Sequence, residues 1–307
     1  MAKKFQYGGQ AVIEGVMMRG ARQMAIAVRC PKGDILIESR PIDSLADKFP
    51  LLRLPLLRGV LALVESLIIG VRALTFSANK AAGEEEEELS KGELTLTIVL
   101  AFGLAAVLFI IIPTTAAHYL KSALGNGFWQ NMVEGLIRIT MFLLYVTAIS
   151  RLQDIQRVFQ YHGAEHKVIH AYEAGEDLTV ENAQRHSSLH PRCGTAFLLL
   201  VMVLTILIYS TLQTPSLWWR VGSRLMLLPL IAGLGYELLK LSSRYTHHAW
   251  VRILIAPGLW LQRLTTRPPD DQQVEVAIKA LEGVLRQEQE AAPRPALLPE
   301  VQEQQTA

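Results

Sequence analysis

Residues 94–117, LTLTIVLAFGLAAVLFIIIPTTAA, form an uninterrupted run of 24 residues without a charged side chain. A helix that crosses the hydrocarbon core of a bilayer needs about 20 mostly apolar residues, so this run predicts a transmembrane helix. The composition agrees, since half of the 307 residues are hydrophobic, 19% are charged and the mean hydropathy is +0.26. Charged residues approach a quarter of a typical soluble domain, and a membrane protein is therefore the expected class.

Three further stretches are apolar enough to predict membrane spans; these are residues 132–150, 195–212 and 217–240. Trp129, Trp218 and Trp219 lie near the ends of two of them, as aromatic residues do at membrane–water interfaces. The predicted fold is a membrane all-α bundle, residues 94–262, with about four transmembrane helices. Interfacial helices and a small N-terminal β-hairpin element are expected to accompany it.

Two other apolar stretches are not expected to span the membrane. Residues 51–76 carry charges at spacings that leave one charged side on a helix, which is typical of an amphipathic helix in the membrane interface. A span there would place Glu65 near the middle of the bilayer, at a high energetic cost. Residues 249–262 are too short to cross, and Pro257 and Gly258 interrupt them.

Lysine and arginine residues predict the orientation of the bundle. The 118–131 connection holds a single lysine, whereas the 151–194 connection holds five basic residues. Basic residues accumulate in cytoplasmic loops, so residues 151–194 and both termini are predicted to be cytoplasmic. Arg220 and Arg224 lie at the outer end of the fourth predicted span, against this rule, although long side chains can snorkel toward the interface.

The N-terminal segment alternates between apolar and polar side chains in two runs, QMAIAVRC and ILIESRPI, on either side of a PKGD turn. This pattern predicts a β-hairpin at residues 23–42, and the preceding AVIEGVMMRG is a candidate third strand. The first residues lack an apolar h-region, so no cleaved signal peptide is expected. The predicted units outside the bundle are a cytosolic β element (1–50), an interfacial helix (51–76), an acidic linker (77–93), a cytosolic helix capped by Asp270 or Asp271 (263–286) and a disordered tail (287–307).

A cluster of histidine and glutamate residues follows the second predicted span, in YHGAEHKVIHAYEAG (161–175). If that span continues as a helix into the cytosol, His162, His166 and His170 share one side of it, because residues i and i+4 are neighbours. His162, Glu165 and His166 form an H-x-x-E-H motif, in which two histidines bind zinc and the glutamate activates a water molecule. The motif predicts a divalent metal site, most simply for Zn²⁺, with Glu165 as general base.

Zinc takes about four ligands in a tetrahedral array, so at least one more protein ligand is needed. The candidates are Glu173, Glu237 and three residues of the connection that returns to the membrane, namely His186, His190 and Cys193. Arg192 is a candidate contact for an anion or a lipid head group. Cys193 is expected to be a packed small residue and His170 a bystander. A polar helix end, with solvated or hydrogen-bonded histidines and no metal, is the alternative interpretation.

Several segments resemble the bacterial YqhQ-type family, namely GGQAVIEGVMMRG (8–20), YHGAEHK (161–167), YE (172–173), HPRCGT (190–195), GYE (235–237) and LQRLTTRPPDDQQVEVAI (261–278). The resemblance covers nearly the whole chain apart from the acidic linker and the tail. It implies an uncharacterised multi-pass protein of the bacterial cytoplasmic membrane that is predicted to be a metal-dependent enzyme. The matched motif residues are His162, Glu165, His166, Glu173, His190, Arg192, Cys193 and Glu237. Ala21 departs from the family pattern, where a proline is expected.

The leading functional hypothesis is a zinc hydrolase that acts at the cytosolic membrane surface on a peptide or a lipid head group. The alternative is a non-catalytic factor that assists insertion or assembly of other membrane proteins, and a transporter comes third. The expected partners are the lipid bilayer and, for the alternative, other membrane proteins. The net charge of only +2 implies no nucleic-acid partner. The first two hypotheses differ in geometry, because only the enzyme needs His162, His166 and a third ligand to converge.

Overall fold

The structure, a computed structural model, describes residues 7–82, 90–120, 127–212, 216–242, 245 and 248–291. The acidic run at 83–88 lies outside these ranges. The strands are β1 (Gly8–Val12), β2 (Gly15–Arg19), β3 (Gln23–Arg29) and β4 (Ile35–Pro41). The helices are α1 (Leu45–Lys48), α2 (Leu57–Ala82), α3 (Lys91–Ala106), α4 (Ile112–Tyr119), α5 (Gly127–Ile149), α6 (Gln153–Ala174), α7 (Val180–Gln184), α8 (Gly194–Ser210), α9 (Leu217–Ser242), α10 (Ala249–Thr265) and α11 (Asp271–Ala291), with a short 3-10 helix at Pro50–Arg53.

Among the described residues, four helical segments are long and apolar enough to cross a membrane, namely Leu57–Ala82, Gly92–Tyr119, Gly127–Ile149 and Leu217–Ser242. They confirm the predicted membrane bundle of about four helices. The set differs from the expected one in two members. Helix α2, predicted to be interfacial, has the length and composition of a span, whereas α8, predicted to span, is a shorter apolar helix of 17 residues.

The second of these segments shows how a proline is accommodated inside it. Helices α3 and α4 are joined by a π-helical turn, Val107–Ile111, and Pro113 follows directly. Pro113 has no N–H to donate to the carbonyl of Phe109, four residues earlier. The guanidinium of Arg138 on α5 donates to that carbonyl instead, with an Nε–O distance of 2.7 Å. A break in one helix thus provides the acceptor that anchors its neighbour.

A buried cluster of charged residues, called the arginine cluster below, lies where α4, α5, α8 and α9 meet. Its members are Glu134, Arg138, Arg220, Arg224 and the amide of Asn131. The Glu134 carboxylate accepts hydrogen bonds from Arg138 at 2.9 Å and from two nitrogens of Arg224 at 3.0 Å. It accepts a further bond from the Thr114 hydroxyl at 3.1 Å. The cluster thus contains Arg220 and Arg224, the two arginines that the positive-inside rule left unexplained, and pairs both with Glu134.

Asn131 connects this cluster to α8. Its side-chain oxygen accepts from Arg220 at 2.9 Å and from Arg224 at 2.6 Å, and its nitrogen donates to the Tyr209 carbonyl at 2.6 Å. The Tyr209 hydroxyl donates to the carbonyl of Arg224 at 2.9 Å. These bonds satisfy polar groups in the apolar interior and hold the helix ends together.

The N-terminal residues form a four-stranded antiparallel sheet with strand order β1-β2-β3-β4. The predicted hairpin is confirmed as β3 and β4. The segment AVIEGVMMRG, expected as one strand, instead spans parts of β1 and β2, because the chain reverses at Glu14, where φ is +52°. Alternate side chains of the sheet face opposite layers, as strand geometry requires.

The two faces of the sheet pack on different helices. Val16, Met18, Ala25 and Ala27 face α6 and α11, whereas Met17, Ile26 and Val28 face α2. Helix α11 begins at the predicted N-cap, since the Asp270 carboxylate accepts from the Gln273 N–H at 2.8 Å. Its apolar side includes Val274, Ile278 and Leu281, as its sequence period predicts. The sheet therefore forms the middle layer of an α/β/α sandwich that contains α6.

Three boundaries differ from the sequence prediction. Helix α5 ends at Ile149 and α6 begins at Gln153, so the histidine helix is a separate element rather than a continuation of the span. Helix α10 continues through Pro257, and Gly258 allows its close approach to Ala196 of α8. Helix α11 extends to Ala291, five residues into the predicted tail, because Glu288 accepts hydrogen bonds from Tyr7 and from the Ala21 N–H. Residues 292–307 lie outside the described part of the chain.

Candidate metal centre

The histidine-rich stretch forms the C-terminal half of α6. His162, His166 and His170 are spaced by one helical turn and lie along one side of the helix, as predicted. Gly175 ends the helix in the left-handed conformation, with φ of +78°. Gly163 is required by the packing, because a Cβ there would lie 2.2 Å from the carbonyl oxygen of Arg267.

Backbone carbonyls orient all three histidines. The Nδ1 atom of His162 lies 2.7 Å from the Thr265 carbonyl oxygen, and that of His166 lies 2.6 Å from the Ser188 oxygen. For His170 it is Nε2 that lies 2.9 Å from the Leu189 oxygen. A carbonyl only accepts, so each of these ring nitrogens must donate a proton. The neutral rings therefore keep a lone pair on the opposite nitrogen, the arrangement found in metal-binding histidines.

The first group of possible ligands consists of His162, His166 and Cys193. Their donor atoms all lie within 4.8 Å of one another, and His162 Nε2 is 3.2 Å from the sulfur of Cys193. Two donors on one tetrahedral zinc are about 3.3–3.6 Å apart, given bonds of about 2.0–2.3 Å. Cys193 is buried and precedes the first residue of α8, which points a helix N-terminus toward the group. The donor set of two imidazoles and one thiol fits zinc.

Glu165 lies beside this group and is held by the sheet. Its Oε1 accepts a hydrogen bond from the backbone N–H of Gly9 at 2.9 Å. Gly9 cannot carry a side chain without conflict, since a Cβ would lie 2.4 Å from the Met17 oxygen and 3.1 Å from Glu165 Cγ. Strand β1 therefore fixes the carboxylate that the motif assigns as general base.

A cavity of about 520 Å³ opens between β1, α6 and the start of α8. Its polar lining includes the predicted site residues His162, Glu165, His166, His190, Arg192 and Cys193. Its apolar lining includes Phe159, Ile169 and Leu198. A volume of this size admits a peptide segment or a lipid head group next to the candidate ligands.

A second group consists of His170, Glu173 and His190, whose donor atoms also lie within 4.8 Å of one another. Burial lowers the pKa of His170, and the neighbouring His190 and His166 act in the same direction. Burial acts to raise the pKa of the Glu173 carboxyl, but its interactions with His190 and Arg192 outweigh this effect and hold that pKa at about 2. The Arg192 guanidinium forms an ion pair with Glu173.

Gln262 of α10 holds His190 in place and was not identified from the sequence. Its side chain accepts from the His190 N–H at 2.9 Å and donates to the His190 carbonyl at 2.8 Å. The only sequence signal is a glutamine on the inner side of an apolar helix. The carbonyls that orient the histidines have no sequence signal, since any residue type provides them.

The structure brings His186 to neither group, and Glu237 is the other candidate ligand that lies outside both. It forms a two-bond ion pair with Arg58 of α2, with an Nε–Oε1 distance of 2.6 Å. Cys193, expected to be a packed residue, lies instead within the first group, and His170, expected to be a bystander, lies within the second. Glu173 and His190 meet each other but belong to the second group.

Comparison with known proteins agrees with the resemblance seen in the sequence. A family model described as "Protein of unknown function (DUF1385)" matches residues 54–287. The chain belongs to the DUF1385 family. It is also 36% identical over 295 residues to "Uncharacterized protein YqhQ" of Bacillus subtilis (strain 168), which covers 92% of this chain and 93% of that protein.

The DUF1385 match includes both ligand groups and the arginine cluster, which lie between residues 54 and 287. It leaves out β1 to β4, although the relative from Bacillus subtilis is aligned over most of the chain. No solved structure matches the chain. The names of these relatives assign no activity, so the chemistry must be argued from the geometry.

Proposed function

We propose that the chain is a metal-dependent enzyme of the bacterial cytoplasmic membrane, a zinc hydrolase that acts at the cytosolic membrane surface on a peptide or a lipid head group. The observation that supports this most strongly is the convergence of His162, His166 and Cys193 beside Glu165, at the wall of one cavity.

In this proposal His162 Nε2, His166 Nε2 and Cys193 Sγ bind Zn²⁺, which leaves one coordination position open. The ion would supply Lewis acidity and a water molecule of lowered pKa. Glu165, oriented by its hydrogen bond from the Gly9 N–H, would be the base that takes up a proton during hydrolysis. Arg192, at the cavity wall, contacts anionic parts of a substrate.

A non-catalytic role in membrane-protein insertion or assembly is the second candidate. One observation favours it, the exposed apolar side of α2. The exposed residues there include Leu63, Val64, Leu67 and Ile68, each 40–47% accessible. The opposite side of α2 packs on the sheet, and Glu65 accepts from the Ser44 hydroxyl at 2.8 Å, so this apolar side faces lipid or another membrane protein.

The test is the metal content of the full-length protein, purified in detergent without a histidine tag or chelator. The wild type is compared with His162→Ala, His166→Ala and Glu165→Gln, with His118→Ala as a control histidine on α4. We expect metal in the wild type, loss from the first two variants, and retention in Glu165→Gln and His118→Ala. A metal-free wild type after supplementation with zinc, manganese and iron would overturn the proposal and direct attention to crosslinked membrane partners.

A further inference from the structure

We infer that His170, Glu173 and His190 form a second metal site directly beside the first, so that the cavity holds a two-metal centre. The inference rests on the proposed function, because it assumes that the His162, His166 and Cys193 group binds a metal. It adds a second divalent cation with nitrogen and oxygen ligands, and it gives His170, expected from sequence to be a bystander, a defined role.

The geometry of the second group matches that of a metal site. Glu173 Oε2 is 3.6 Å from His190 Nε2, which is long for a hydrogen bond but close to the separation of two donors on one metal, about 3.3–3.6 Å. The other oxygen of Glu173 is engaged by Arg192, which leaves Oε2 for a ligand role. His170 donates from Nε2 to the Leu189 carbonyl and therefore offers Nδ1.

His190 supplies an independent observation. It is 5% exposed, and its Nε2 is a buried side-chain nitrogen without a hydrogen-bond partner among the residues that the structure describes. Buried polar atoms of this kind are costly, and a ligand is one of the few ways to satisfy them. The paired bonds to Gln262 fix the backbone of His190, so its ring cannot easily move away.

Binding through Nε2 requires His190 to carry its proton on Nδ1. In the structure Nδ1 accepts from the Arg192 N–H at 3.3 Å, a long and therefore weak bond. With the proton on Nδ1, this atom and the Arg192 N–H are both donors, so metal binding at Nε2 gives up this weak bond and gains the bond from Nε2 to the metal. The free energy lost with this weak hydrogen bond is small compared with the free energy gained when the buried Nε2 binds a ligand.

The two groups of candidate ligands lie next to each other. The ring centroids of His166 and His190 are 5.6 Å apart, and those of His170 and His190 are 4.6 Å apart. His166 and His170 are one turn apart on α6, so these two neighbouring histidines would bind different ions. Two neighbouring divalent ions can activate a nucleophile and stabilise a leaving group at the same time.

The experiment is a cobalt titration with metal counting on the full-length detergent-purified protein. Site variants are His170→Gln and Glu173→Gln; His186→Ala is the matched control, since His186 stacks on His170 at 6.1 Å but belongs to neither group. We expect about two metals per chain in the wild type and in His186→Ala, and about one in each site variant. In the wild type, the thiolate-to-cobalt absorption band from Cys193 saturates after one equivalent, while the cobalt ligand-field bands grow to two.

The results separate the two proposals. One metal per chain that is lost in His162→Ala but unaffected in His170→Gln and Glu173→Gln would overturn the second site and leave the first. A metal-free wild type would overturn both. If the site variants fail to fold, the wild-type titration still tests the second site. Both cobalt absorption bands would then stop growing after one equivalent if the second site did not exist.

Discussion

The molecule contains two buried polar clusters that differ in how the hydrogen-bonding groups of their side chains are satisfied. In the arginine cluster, guanidinium groups converge on the Glu134 carboxylate and the Asn131 amide, within direct hydrogen-bond distance. The second cluster, called the histidine cluster, is formed around His162, His166 and His170. One ring nitrogen of each donates a hydrogen bond to a backbone carbonyl, and the other ring nitrogen can bind a ligand. Helix α8 connects the two clusters, with Cys193 at one end and Tyr209 about 24 Å along it. The first cluster holds helices together, and we propose that the second binds metal.

This comparison separates polar residues that stabilise from those that act. Stabilising groups are mutually satisfied, so removing one leaves its partners with an unmet charge. A side chain whose role is to bind a ligand can be replaced with little effect on the stability of the free protein, but the protein then no longer binds the ligand. Mutations in the arginine cluster should therefore mainly lower stability, whereas mutations in the histidine cluster should mainly lower metal content.

The largest effect is expected for Glu134→Leu. The change leaves three buried guanidinium groups without the carboxylate they share, and removing one partner of a buried pair costs about 3–5 kcal/mol. We expect low membrane yield and an unfolding transition at much lower temperature. Glu282→Leu on the exposed side of α11 is the control and should behave like the wild type. Unchanged stability of Glu134→Leu would show that the arginine cluster does not hold the bundle together.

A smaller effect is expected for Gly9→Ala, which tests the contact of the sheet with the site. The new Cβ would conflict with the Met17 carbonyl and with Glu165, and overpacking of this kind costs about 1–3 kcal/mol. We expect metal to be retained while the thermal transition falls, because no ligand is changed. Gly8→Ala is the matched control, since nothing lies within 4 Å of its Cβ. Equal stability of the two variants would contradict the close approach of β1 to Glu165.

The smallest effect is expected for Glu237→Gln. The carboxylate pairs with Arg58 and both side chains are partly exposed, so the loss is about 1 kcal/mol or less. Metal content should equal that of the wild type, unlike that of Glu173→Gln. Loss of metal from Glu237→Gln would return this residue to the ligand set that the sequence suggested and would contradict the placement of its side chain.

Much of the fold follows from local sequence patterns. Hydropathy predicts the membrane bundle, alternation and PKGD predict the β3–β4 hairpin, and the capping carboxylate of Asp270 marks the start of α11. The errors arise where tertiary contacts decide. Pro257 was expected to break α10, yet packing against α8 carries the helix through it, and contacts of Glu288 extend α11 into the expected tail.

The site was only partly predictable for the same reason. The i, i+4 spacing identifies His162 and His166 because one helix contains both. The third ligand comes from another segment, and proximity in sequence gives no information about which residue returns to the helix. Glu237 was a reasonable candidate until Arg58 of α2, 179 residues away in sequence, was seen to pair with it. Cys193 was expected to pack rather than to bind metal, as isolated cysteines more often do, and the structure places its sulfur 3.2 Å from His162 Nε2.

The most direct test of the metal centre is X-ray absorption at the zinc edge, on wild-type protein and on Cys193→Ser, both purified in detergent and loaded with zinc. The structure predicts a sulfur neighbour at about 2.3 Å in the wild type, together with nitrogen neighbours at about 2.0–2.1 Å. In Cys193→Ser the sulfur contribution should disappear. Bound zinc with only nitrogen and oxygen neighbours, and the same spectrum in both proteins, would contradict a centre built from His162, His166 and Cys193.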